Sequence, residues 1–540
     1  MTFIAPKKTE QLNAKSNTAR LMPSSHPPIH QIAHNFFIKI RHISICVWVL
    51  GLLISMTSPS WGQDGNYQDY IMGQRAAGMG GAFTAIANDP SAGFYNPAGF
   101  ATQERLQVGM AINLQALEYR QLESGLLRPE GQLDLERWEF VLRPSSVGVA
   151  ARFGPRDQFG TPMIGGGFTI VIPYLNQIRF RSALSSFMGS ELRRSTIFMQ
   201  RDDQTLMAGP SLSLRLGPLA IGITGFYTHR SFAWSLSNNA AFSKCQPTSL
   251  QNCDLFNASN VLSNVEGWVG QLNFRLGILA QLNPRWRLGF MASLSSLRLW
   301  GNGSFFIHQF ALSRDEENKP TEQFTQRSGL KVRSPLPWSF RLGVAAEPSQ
   351  NHTFAFDLSI YLPQKYQLLE LPTIQRIFHY PNQIHNHLVI NLHLGGEHRL
   401  TPKIPFRWGL FTNFSSAPDI PDNTSEPHLA QIHMFGATTS IGLYFWGISF
   451  DLGLAASYGQ GMAQRYQLDK LPEYESVRMR QFFFQIYLAG ATEILGRSLE
   501  ELWKRVSKHP LLEKVSGSQP TSKPTTQLVP PSAPSSQPKP

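Results

Sequence analysis

The sequence predicts an all-β chain, a transmembrane antiparallel β-barrel closing on fourteen strands, and three observations predict it. Bulky apolar residues alternate with small or polar ones over most of the length, as one lipid-facing and one lumen-facing row require. Charged residues are only 16% of the 540, yet repeated apolar runs of about 18 or more, the mark of helical spans, are missing from the bulk of the chain. Short links also alternate with long ones, the pattern of turns on one side of a membrane and loops on the other. A soluble multidomain chain is the alternative, but charged residues interleaved with apolar ones are hard to place in a sandwich core.

Residues 1–62 read as a secretory signal peptide. Lys39, Arg41 and His42 precede an apolar stretch over 43–56, and Ser60-Trp61-Gly62 offers small residues for cleavage near Gly62. An uncleaved anchor is the alternative. The long stretch ahead of the apolar core suggests a start at Met22. The leader carries +5 of the formal +12, so the exported chain is about +7, spread without a Lys/Arg run, which excludes nucleic acid as an expected partner. Of three cysteines, Cys46 leaves with the leader. Cys245 and Cys253, eight apart in a stretch of turn formers, are expected to form one disulfide, with two free thiols as the alternative and no zinc motif matched.

After a Gly- and Ala-rich block, the strands follow in order. Candidates cover 106–119, 135–152, 163–175, 211–216, 221–234, 271–276, 286–300, 339–344, 353–360, 388–398, 406–414, 431–445, 448–455 and 482–490, with 178–184 as a doubtful extra. In 448–455, Ile448, Phe450, Leu452 and Leu454 alternate with Ser449, Asp451, Gly453 and Ala455. Single-chain bacterial barrels close on an even number, and about 390 residues divide into about 28 per strand with its connection, enough for 9–11 membrane residues and a loop. Trp300, Tyr361, Trp408, Tyr444 and Trp446 suit the interfacial girdles. Gly217-Pro218, Asn283-Pro284, Pro348-Ser349-Gln350, Thr401-Pro402 and Gly447 read as periplasmic turns, and 235–264, 301–333, 364–386 and 415–430 as extracellular loops.

The block at 73–99, GQRAAGMGGAFTAIANDPSAGFYNPAG, resembles the N-terminal hatch of the outer-membrane long-chain fatty-acid transporter family, the FadL-like barrels that include hydrocarbon transporters of the TodX type. Weaker echoes lie in 143–148, in 336–343, and in 409–414 with Pro418 after it. The resemblance spans about Gly73 to Gly490 and implies a fourteen-stranded barrel plugged by a hatch inside the lumen, taking up hydrophobic molecules and releasing them sideways through a strand kink. On this reading 63–104 is the hatch, 105–494 the barrel, and Gly78, Gly80, Gly81, Asp89, Asn96, Pro97 and Ala98 the gating residues. The residues themselves agree: glycines permit a compact backbone, Pro97 fixes a bend, and Asn96 can bond its own backbone. A nucleotide loop at Gly78–Gly81 lacks the spacing and the βαβ setting. Pro173, near the end of the 163–175 strand, marks the expected kink.

The chain departs from the family pattern at its end, where about 50 residues follow the closing strand. A capping box at Ser498 and Glu501 starts an amphipathic helix over 495–515, expected on the membrane surface, on a periplasmic partner, or simply in solvent. The Pro/Ser-rich stretch 516–540 reads as a disordered tail with periplasmic or cell-wall contact. His379, His385, His387, His393 and His398, and separately Asp419, Asp422 and Glu426, lack the spacing of a metal site, so no metal, no cofactor and no catalytic residue is expected. The expected function is passive outer-membrane transport of fatty acids or aromatic hydrocarbons, with outer-membrane lipids as the surroundings. The alternative is a non-transporting scaffold barrel that binds proteins through its loops and C-terminal extension.

Overall fold

The computed structural model describes residues 65–68, 71–103, 106–128, 131–156, 162–188, 191–246, 249–313, 320–371, 381–445, 447–466 and 474–492. The expectations for 1–62, 495–515 and 516–540, and for His379 and Trp446, lie outside them. Strands are β1 (Gln107–Arg128), β2 (Gly131–Arg156), β3 (Pro162–Met188), β4 (Glu191–Leu216), β5 (Leu219–Gln246), β6 (Ser249–Asn283), β7 (Trp286–Ser293), β8 (Leu297–Ser313), β9 (Thr321–Leu330), β10 (Ser339–Ser349), β11 (His352–Tyr361), β12 (Gln364–Gln367), β13 (Gln383–Asn386), β14 (Val389–Thr401), β15 (Ile404–Asn413), β16 (Asn423–Thr424), β17 (Gln431–Phe445), β18 (Ile448–Tyr466) and β19 (Tyr474–Thr492).

Every neighbouring pair is antiparallel, and β19 returns to β1 from Val108↔Thr492 to Leu122↔Met479, closing a 14-strand barrel. The nineteen strands reduce to fourteen wall positions because some positions are interrupted. β7 and β8 both run along β6, and β9 and β10 lead down from β8 to β7. β12 and β13 pair only with each other above β11 and β14.

The period-2 reading holds residue by residue. On β18, Phe450, Leu452 and Leu454 face outward while Ser449, Asp451 and Gly453 are buried. Leu212 and Leu214 on β4, Ile221 and Ile223 on β5, Leu342 and Val344 on β10, and Ile390, Leu392 and Leu394 on β14 continue the belt. So continuous an apolar exterior around a polar, charged interior suits a barrel that spans a bilayer.

The tight links fall where the spacing places them. Gly217 and Gly447 both adopt positive φ, 62° and 74°, which glycine takes without a Cβ clash. Three details differ from the sequence reading. Residues 178–184 are the upper half of β3, not a strand of their own. The expected loops at 235–264 and 301–333 are largely sheet, the tall hairpins of β5 with β6 and β8 with β9. Tyr361 shares the row of buried Asp357 and Ser359 and stacks on Tyr67 at 4.6 Å between ring centroids, so it faces the lumen and not a girdle. Cys245 and Cys253 sit in that β5–β6 hairpin as directly opposed Cα partners.

Candidate functional site

Residues 71–103 are almost wholly buried and lie against the inward faces of the strands. Their regular structure is three short pieces, α1 (Gln74–Gly78), α2 (Ala92–Tyr95) and a 3-10 turn over Pro97–Thr102, joined by glycines at positive φ such as Gly80 (63°) and Gly81 (82°). Room comes from the wall. Three glycine pairs stand directly opposite each other on neighbouring strands: Gly222↔Gly277, Gly289↔Gly343 and Gly395↔Gly409. A Cβ at any of the six would come closer than 3.0 Å to the segment, meeting Pro97 and Ala98 at the first pair, Thr84 and Ala85 at the second, and Met79 or Gly80 at the third.

Polar wall residues then hold what the glycines admit. Asp357 on β11 accepts from the Phe83 and Thr84 amides, both at 2.9 Å, and from Thr84 Oγ1 at 2.6 Å, through one oxygen. Thr438 Oγ1 accepts from Gly80 N at 2.9 Å and donates to Gly78 O at 3.0 Å, while His393 Nδ1 lies 2.8 Å from Gly80 O. Arg75 reaches Glu397 at 2.9 and 3.2 Å, and Arg407 bridges Glu397 and Asp451, each at 2.7 Å. Arg275 donates to Phe94 O and stacks on the Phe94 ring at 3.9 Å. Taking Arg75, Glu397, Arg407 and Asp451 out of water is unfavourable unless each is met, and their alternating charges meet one another.

The anticipated gating residues fall into two groups. Gly78, Gly80 and Gly81 lie against β14, β15 and β17, where a Cβ on Gly78 would strike Arg407 and Ser440. Asn96, Pro97 and Ala98 lie against β5 and β6: Asn96 Nδ2 donates to Thr84 O at 2.9 Å and to Ile278 O at 3.0 Å, and its Oδ1 accepts from Ala98 N at 3.1 Å. Asp89 belongs with neither. Its Oδ1 caps the turn by accepting from Ser91 N and Oγ at 2.7 and 2.5 Å, and burial raises its carboxyl above the ordinary value, against the pull of Ser91 and Arg75. The wall partners Asp357, Glu397, Arg407, Thr438 and Asp451 were not singled out as site residues from sequence. Their signal was a charged or hydroxyl residue at a lumen-facing position of an alternating strand.

Above the segment lies a cavity of about 110 Å³. Tyr67, Tyr174, Trp234, Tyr366 and Ile384 give it apolar surface, with Arg201 stacked 3.8 Å over Trp234 and Arg230 forked onto Asp203 at 3.0 and 2.7 Å. Pro173 is part of its lining. At that proline the β3–β4 register jumps from Val171 to Tyr174, and the described pairing of β2 with β3 stops at Ser146↔Val171. Beyond that point β2 follows β1 and β3 follows β4, leaving a seam in the wall. Below the segment a second cavity of about 330 Å³ is polar, lined by Gln74, Arg75, Asn88, Gln103, Glu397 and Arg407 among others. Among the described residues no three His, Cys, Asp or Glu side chains gather as a metal site.

No protein-family model matches the sequence, and no curated protein matches it. Among solved structures the chain is similar to a Pseudomonas aeruginosa FadL homologue, at 13% identity and a TM-score of 0.51, over 81% of this chain and 100% of that one. It is also similar to the Pseudomonas putida toluene transporter TodX, at 13% identity and a TM-score of 0.46, over 78% of this chain and 98% of that one. The first likeness establishes a shared fold across the whole of the FadL homologue.

Proposed function

We propose that the protein is a passive outer-membrane channel for hydrophobic compounds, fatty acids or aromatic hydrocarbons. The ligand enters the aromatic cavity, and residues 71–103 act as the hatch whose shift opens its onward path. The observation that carries this reading is that Pro173 and Tyr174 line the cavity and also stand where β3 parts from β2. A molecule in that cavity therefore sits beside a gap in the wall, as the resemblance implies for a sideways exit.

The size of the cavity is informative. An apolar space of about 150 Å³ holds one benzene ring, so a cavity of about 110 Å³ must widen to take a ring and suits one end of a chain as it stands. Covering about 200 Å² of apolar ligand surface stabilises the bound state by about 5 kcal/mol, enough to draw it from water without ATP or a redox cofactor. Native mass spectrometry of the purified barrel, offered a long-chain fatty acid or toluene, tests this. Retention that falls when Trp234 or Tyr174 becomes Ala, and that is lost when Asn96-Pro97-Ala98 is altered, supports the channel. A folded barrel that stays empty refutes it and favours the scaffold alternative.

A further inference from the structure

Five described turns at the short-link end form one linked rim. Backbone hydrogen bonds tie each to the next: Gln281 N to Pro218 O at 2.8 Å, Glu347 N to Arg285 O at 2.7 Å, Arg399 N to Asn351 O at 2.8 Å, and Tyr444 N to Lys403 O at 2.8 Å. Among the described residues its exposed charge has one sign. Arg285, Arg399 and Lys403 are exposed, while Glu347 is taken by Arg287 at 3.1 Å and the buried Glu397 lies among Arg75, Arg407 and, at 3.7 Å, Arg399. The opposite end of the barrel mixes signs, with Glu123 on Arg480, Glu475 on Arg465, and exposed Asp419, Asp422 and Glu426. Exposed Trp286, Tyr444 and Phe445 flank the basic rim, and the apolar belt begins directly above it.

One side of this rim is also polarised by a chain of ring nitrogens. Trp408 Nε1 lies 3.3 Å from His398 Nε2, and His398 Nδ1 lies 2.8 Å from His352 Nδ1. An indole nitrogen can only donate, so in the neutral pair His398 accepts at Nε2 and carries its proton on Nδ1. That proton is given to His352 Nδ1, which fixes the His352 proton on Nε2. The exposed His352 ring therefore accepts at Nδ1 and carries its own N–H donor at Nε2.

We infer that this rim binds the headgroups of anionic phospholipids, with Arg285, Arg399, Lys403 and the His352 Nε2–H meeting phosphodiester oxygens. Guanidinium groups match the geometry of a phosphate, and flanking aromatic rings sit where headgroup meets acyl chain. The apolar belt just above accepts the chains, which a free phosphate ion would not use. Assignment to the inner leaflet rests on the outer-membrane reading proposed above; the lipid binding does not.

The test uses the full chain in mixed phosphatidylcholine and phosphatidylglycerol nanodiscs, with the phosphatidylglycerol retained counted by native mass spectrometry. Each cation near an anionic surface contributes roughly a fivefold preference, so Arg285→Gln, Arg399→Gln and Lys403→Gln together should lower the preference about 100-fold. His352→Phe should lower it further and His352→Gln, which keeps a donor, should not. Inorganic phosphate should fail to displace the lipid. Equal retention of the two lipids, an unchanged triple variant, or displacement by inorganic phosphate would each overturn the proposal. Ser349→Cys, on this rim, should react with an impermeant thiol reagent only after the outer membrane is breached; labelling on intact cells would overturn the leaflet assignment. These readouts are independent of ligand uptake, so an empty channel would leave the lipid result standing.

Discussion

Replacing Asp357 with Ala should loosen residues 83–85 while leaving the barrel closed. One carboxylate oxygen accepts from Phe83 N, Thr84 N and Thr84 Oγ1, and all three donors are buried. An orphaned buried donor costs about 1–3 kcal/mol, so three unpartnered donors amount to at least about 3 kcal/mol if none finds a substitute. Since about 1.4 kcal/mol is a factor of ten, the amides of Phe83 and Thr84 should exchange with deuterium roughly 100-fold faster or more, where opening is a rapid equilibrium. Asp357→Asn keeps an acceptor but loses its charge, and bonds to a charged acceptor are about twice as strong, so its effect should be smaller, near tenfold. The assay is hydrogen exchange read by mass spectrometry on the peptide spanning 83–85, with a peptide from β18 or β19 as control. Exchange within threefold of the wild type in Asp357→Ala would refute the anchoring role. Equal acceleration in the control peptide would show that Asp357 supports the wall, not the segment.

Glu397→Gln leaves Arg75 and Arg407 short of a charge partner, a change typically worth 3–5 kcal/mol at buried pairs; expected are frequent open events in planar-bilayer conductance where the wild type is quiet. Gly409→Val puts a side chain where Gly80 sits and should raise conductance in the same assay, whereas the exposed Gly329→Ala should not. Cys245 and Cys253 should resist alkylation before reduction and take up two labels after it; in the chain-entropy picture the short loop adds about 2–3 kcal/mol to the hairpin, and immediate labelling would contradict the pairing. Asp89 holds its proton more tightly in the folded segment than in the opened one. The segment is then most stable below the unfolded carboxyl value and weakens as pH rises through the interval up to the raised folded value. Asp89→Asn should abolish that slope in hydrogen exchange and slow exchange at neutral pH, and an unchanged pH profile would count against it.

The barrel was readable because its rule is local. On β18 a lipid-facing row and a lumen-facing row differ within two residues, and the eight residues 448–455 show it. Above the membrane the apolar row is lost, because the outward face meets water: Ser235, Ser237 and Asn239 alternate with buried Leu236, Asn238 and Ala240. The Asn- and Ser-rich strands of β5 and β6 therefore read as loop. The segment at 71–103 was readable from its glycines and its Asn-Pro. Its wall partners were not, since Arg75 meets Glu397 across 322 positions of sequence and Thr84 meets Asp357 across 273. Parity carried more than was drawn from it: Tyr361 shares a row with Asp357 and Ser359, so it belongs with the lumen. At Pro173 the β3–β4 register shifts, as a residue without an N–H interrupts a ladder wherever it falls.

The two cavities make a physical case for the seam over the barrel axis. A hydrophobic molecule leaving the upper cavity downward would have to displace the segment and enter the polar space of about 330 Å³ among Arg75, Glu397 and Arg407. There its apolar surface meets water or charge and regains little of the roughly 25 cal/mol per Å² gained in the aromatic cavity, about 5 kcal/mol for 200 Å². Leaving between β2 and β3 would pass it from the aromatic side of the cavity toward the lipid-facing belt without crossing that polar space. The wall glycines fit the same logic. Each weakens its strand by about 0.5–1 kcal/mol relative to alanine, yet together they let a segment with almost no regular structure fill the axis closely. For the proposed channel, a filled axis and a parted wall would be two parts of one arrangement: the first would bar the polar route, and the second would leave the apolar one open.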